Sequence, residues 1–179
     1  MSQTIAATRP PARTAGAATV PPGDPLAPVD AAAVLAALHR RVEHRFEAYE
    51  AAEGSRSRQY RAVIAIAEAL ASHVALEDEL LYPALRVQTG RFDGEIERQL
   101  QQDHLLDLVL LELGGMVPAD RGYDAKVRVL MQVFRQHARD AETLVEHWAA
   151  RYLDPPEREQ LGRRLLERAR QLDGEAWMP

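Results

Sequence analysis

The chain has 179 residues and no cysteine. That absence excludes disulfides, thiolate metal sites, iron–sulfur clusters and any thiol nucleophile. It fits cytoplasm and periplasm equally. No apolar run approaches the roughly 18 residues of a membrane span, and no apolar stretch of secretory type follows the start. The net charge is −5, with both signs interspersed, so the basic stripe of a nucleic-acid binder is missing. Strand-type alternation and internal repeats are missing too. The expectation is a soluble, cytoplasmic protein that takes neither nucleic acid nor a membrane as partner.

Proline is distributed unevenly. Pro10, Pro11, Pro21, Pro22, Pro25 and Pro28 fall among Ala, Thr and Gly before residue 30. Such a composition buries too little apolar surface to offset ordering entropy, so residues 1–29 are expected to be a disordered tail. A single domain over 30–173 should follow, with a short end at 174–179. Asp30 is placed to cap a first helix with the apolar face Leu35, Leu38, Val42, Phe46, Tyr49. Gly54 and Ser55 break it. A second helix, from near Ser57 to about Arg86, carries Val63, Ile66, Leu70, Leu81 and Ala84. A third opens near Asp93, with Ile96, Leu100, Leu108 and Leu111 in register, and stops at Gly114-Gly115. A fourth bears Val127, Leu130, Phe134, Leu144, Val145 and Trp148. Asp154-Pro155-Pro156-Glu157 reads as a capping box opening a shorter fifth helix with Leu161, Leu165 and Leu172. The pattern predicts an all-α fold, an up-down-up-down four-helix bundle with a short C-terminal fifth helix.

Four of the six histidines fall on these apolar stripes, one per long helix: His39, His73, His104 and His137. Their heights agree as well. His39 lies about 16 residues before the first turn and His73 about 17 after it, so at about 1.5 Å per residue both stand some 25 Å along the bundle. Similar counting across the next two loops brings His104 and His137 to the same level, and Glu77 sits one turn from His73. A lone histidine on an apolar face is more often a satisfied core residue than a ligand. Four converging neutral imidazoles, however, cannot easily satisfy one another in a dry core, and protonating them there is costly. A metal ion removes the difficulty by accepting their lone pairs. Imidazole and carboxylate without sulfur suit iron, manganese or zinc. No histidine has Glu three residues before it, which argues against ferritin-type di-metal sites, and His-Glu-x-x-His is absent. His44 and His147 are read as solvated or too far along the axis to share the centre.

Four segments in order resemble the hemerythrin-like HHE cation-binding family: LHRRVEHRFEAYEAA on the first helix, HVALEDELLYPAL on the second, QQDHLL on the third and RQHARDAE on the fourth. The resemblance spans about residues 30–172. It implies a four-helix bundle around two iron ions per chain, bridged by carboxylates. By position it implies His39, His73, His104 and His137 as terminal ligands and Glu77 as a bridge. It also implies Glu142 as the fourth-helix carboxylate, with Asp140 as the fallback, since Ala141 occupies the spacing many relatives use. Oxygen-carrying members have a second histidine on the third helix, where this chain has Leu100 and Leu108, so a reversible carrier role is disfavoured.

The expected function is binding, sensing or reacting with a small oxidant such as oxygen, nitric oxide or peroxide. No catalytic residue is assigned, and electrons for any reaction must come from an external reductase. Iron storage or donation, iron-centre repair, and a metal-free interaction module are the competing readings.

Overall fold

A computed structural model describes residues 29–89 and 91–173. The described residues form helices joined by short turns: α1 Ala31–Glu50, α2 Arg56–Leu76, a π-helical turn Glu77–Leu81, α3 Tyr82–Thr89, α4 Asp93–Gly114, α5 Tyr123–Tyr152 and α6 Pro155–Asp173. No strand occurs among them. The expected tail lies outside the described residues except for Val29, and so does the 174–179 end.

Local chemistry accounts for the boundaries. Asp30 Oδ1 accepts the Ala32 N–H at 2.8 Å and caps α1. Gly122, at φ 89°, takes the left-handed conformation that lets the chain enter α5. At α6 the capping box forms reciprocally: Glu157 N–H donates to Asp154 Oδ1, and Asp154 N–H donates to Glu157 Oε2, both at 2.9 Å.

The second predicted helix is a continuous rod, α2–π turn–α3, that runs to Thr89 rather than about Arg86. The π turn has an identifiable cause. Pro83 has no N–H to give, and its ring clashes with the carbonyl four residues back in an α-helix. Widening the preceding turn relieves both, and the Tyr82 N–H bonds Glu77 O, five residues back.

Helix α1 packs on α2, α5 and α6, α2 also on α6, and α4 on α5. The apolar side chains form two clusters. One joins Val34, Leu35 and Leu38 with Leu76, Leu81, Leu85, Ile96, Val145, Trp148 and Leu165. The other joins Val42, Phe46 and Tyr49 with Ile66, Leu70, Leu106, Val109, Val127, Leu130 and Phe134. Residues 39, 73, 103 and 137 fall between members of the two clusters in α1, α2, α4 and α5, and Glu77 lies one turn beyond residue 73.

One predicted face is corrected. On α4 the buried stripe is Ile96, Gln99, Asp103, Leu106, Val109 and Leu113, whereas Leu108 is 44% and Leu111 75% exposed. Leucines occupy several sides of this helix, so apolar periodicity alone does not select a face. Taking His104 as the inward residue turns the helix by about 100° from its true register.

Candidate metal centre

His39, His73, Glu77 and His137 are all buried and each offers one ligand atom; these atoms lie within 4.8 Å of one another. His39 comes from α1, His73 from α2, Glu77 from the π turn and His137 from α5. His73 Nε2 and His137 Nε2 are 2.9 Å apart. Glu77 Oε2 lies 3.3 Å from the first and 3.1 Å from the second. Phe134 closes the imidazole cluster on one side, its ring 5.7–6.0 Å from all three imidazole centroids.

Carboxylates stand behind two of the imidazoles. His39 Nδ1 meets Glu142 Oε1 at 2.6 Å. With that proton donated outward, His39 Nε2 keeps a lone pair, and it is buried without a hydrogen-bond partner. His137 Nδ1 lies 3.1 Å from Asp103 Oδ1, though the two are not aligned as a hydrogen bond. A carboxylate on the rear nitrogen of an imidazole fixes its tautomer and raises its basicity toward a metal. Tyr82 completes the shell, its hydroxyl 2.9 Å from Glu77 Oε2 and 3.0 Å from Asp103 Oδ2.

Burial lowers the His39 pKa to about 4, so this imidazole is neutral at ordinary pH. Burial pushes the Glu77 carboxyl up, but the neighbouring His73 and His137 outweigh it and hold Glu77 well below the usual carboxylate range. Burial would lower His137, yet Glu77 and Asp103 together raise it. Asp103 is pushed up to about 6, by burial first and the Glu77 charge second. The donor set therefore combines a neutral imidazole, an ionised buried carboxylate and orphaned polar atoms at His39 Nε2, His73 Nδ1, Glu77 Oε1 and Asp103 Oδ1. Buried polar atoms without partners are costly, and a cation at this point would satisfy several at once. The residues fit a metal.

Of the six residues expected to hold it, four are brought together: His39, His73, Glu77 and His137. His104 is not among them; its side chain is exposed, because α4 turns Asp103 inward in its place. Glu142 also stands outside the group, acting on the rear of His39 with its side chain 47% exposed. Asp140 is tied to Gln102 and Gln136 at 3.1 and 2.8 Å. Asp103 and Tyr82 are the residues that the sequence reading did not place at the centre. The available signal was the spacing Ile96, Gln99, Asp103, Leu106, Val109, Leu113, a helical stripe whose two polar members disguise it.

No curated protein and no solved structure matches the chain. The family model of the Hemerythrin HHE cation binding domain matches residues 30–149, and the chain belongs to that family.

Proposed function

We propose that this chain is a non-haem iron protein holding two carboxylate-bridged iron ions, and that it binds, senses or reacts with oxygen, nitric oxide or peroxide. One observation carries the reading: three buried imidazoles converge on one buried carboxylate between two apolar clusters. Sulfur is absent from the set, and imidazole with carboxylate suits iron. The proposed frame is an up-down-up-down bundle. It is supported by the pairing of early α1 residues with late α2, α3 and α5 residues in one cluster, and of late α1 residues with early α2 and α5 residues in the other.

His39, His73 and His137 would hold iron, with Glu77 as the proposed bridge; its second oxygen, Oε1, has no hydrogen-bond partner. Asp103 of α4 stands behind His137 and outside the ligand set. Bound iron supplies a redox-active Lewis acid to which a diatomic or peroxide can attach. The chain's own groups do the rest. Glu142 holds the His39 proton at Nδ1 and so keeps Nε2 for the metal. Phe134, packed against all three imidazoles, excludes water. With only three imidazoles in the set, ligand positions would be left open to water or a small molecule. This favours oxidation over reversible oxygen carriage.

The test is metal analysis of anaerobically purified protein with optical spectra before and after air. Near two irons per chain, colourless until air brings ferric charge-transfer bands, is expected. Zinc, or no metal, would overturn the redox reading, and one iron per chain would overturn the bridged pair.

A further inference from the structure

The π turn interrupts an otherwise regular rod at the metal centre, and its sequence consequence is local. Five residues of α-helix rotate a side chain by 500°, about 140° away from its starting face. In that geometry Tyr82 would point away from Glu77. The i→i+5 bond from the Tyr82 N–H to Glu77 O returns residue 82 nearly over residue 77, and the tyrosine hydroxyl arrives 2.9 Å from Glu77 Oε2. The same hydroxyl is 3.0 Å from Asp103 Oδ2 on α4. Tyr82 is 3% exposed and Glu77 fully buried, so water does not compete for either contact. From outside, Arg168 of α6 grips Glu79 of the π turn with two hydrogen bonds, of 2.7 and 3.0 Å.

We propose that Tyr82 is a positioning residue of the metal centre: its one hydroxyl proton, shared between Glu77 Oε2 on the π turn and Asp103 Oδ2 on α4, ties the two carboxylates together, and the π turn brings it there. This rests on the metal reading above. The clamp constrains Glu77 at one oxygen. Oε2 is held by the tyrosine beside the His73 and His137 nitrogens, while Oε1 stays unpartnered. It also sets the height of Asp103 behind His137. A carboxylate free to rotate would present its oxygens to a metal in many geometries; a clamped one presents them in one. Groups that orient ligands in this way typically change metal affinity about 10–100-fold when removed.

The test uses full-length protein and Fe(II) alone, without air, titrated against a competing chelator well below the melting temperature, so that every variant compared is folded. Tyr82→Phe keeps the ring and removes the hydroxyl. It should weaken Fe(II) binding about 10–100-fold and shift the optical bands of the oxidised protein. Tyr49→Phe is the control: Tyr49 also donates to a carboxylate, Asp124 at 2.5 Å, but lies in the other cluster away from the centre, and its Fe(II) affinity should match wild type. Asp103→Ala cuts the clamp from the α4 side. Combined with Tyr82→Phe, it should lose little more than the worse single variant, since both break one link. If Tyr82→Phe does not fold, Asp103→Ala carries the test alone and should lose affinity to a similar degree. Wild-type affinity in Tyr82→Phe, or fully additive losses in the double variant, would overturn the clamp while leaving the metal reading intact. Failure of wild-type protein to bind Fe(II) would overturn both.

Discussion

Glu77 is the residue on which the most groups converge. Fully buried, it faces His73, His137 and Tyr82 at once. Removing one partner of a buried, mutually compensated set leaves the others uncompensated, at about 3–5 kcal/mol. Asp78, next in sequence, is exposed, and exposed positions usually tolerate change within about 0.5 kcal/mol. Glu77→Ala should therefore lose at least one metal per chain and melt several degrees lower, whereas Asp78→Ala should retain both properties. His104→Ala belongs with Asp78: its side chain is on the outer face of α4, and metal content should not change. Plasma emission analysis with circular dichroism melts checks all three. Equal metal loss in Glu77→Ala and Asp78→Ala would remove the bridging assignment.

Among the elements, α6 is held to α1 by a close backbone approach. A Cβ at Gly162 would fall on the Val29 carbonyl and crowd the Ala31 nitrogen. These are backbone atoms at the capped start of α1, so no side chain can swing aside. Leu161 and Leu165 on either side of Gly162 belong to the cluster that contains Val34, Leu35 and Trp148. Gly162→Ala must push α6 outward, and overpacking of this kind costs about 1–3 kcal/mol. For a chain of this length that corresponds to a drop of roughly 2–12 °C in Tm. Metal content should persist, because α6 contributes no ligand. An unchanged Tm would mean that the Val29 backbone gives way freely.

At the scale of the whole molecule, the metal centre lies between two apolar clusters and ties α1, α2, the π turn and α5 together. A ligand that binds only the folded state stabilises it by about 2.7 kcal/mol at 100 times its Kd. Fe(II) at that excess should raise Tm by roughly 5–11 °C over the metal-free protein. Identical melting of the two forms would instead favour a helical module that works without metal.

Sequence by itself determined the helices, their caps at Asp30 and Asp154, and the inward faces of α1, α2 and α5. In those helices polar and apolar residues alternate with a clear 3.6-residue period, so His39, His73 and His137 were legible as core histidines, and Glu77 one turn from His73. It did not determine α4. Leucines surround that helix, and adjacent Asp103 and His104 both look like ligands, so only packing against α5 decided that the acid turns in and the imidazole out. Tyr82 likewise depended on tertiary and local geometry together. Its place over Glu77 follows from a π turn that an even 3.6 period does not encode, and its second partner comes from a helix 21 residues further along the chain. Glu142 reached the centre only through the rear nitrogen of His39, 103 residues away. Periodicity fixes which way a side chain faces; which nitrogen or oxygen it meets depends on how the helices rotate against one another.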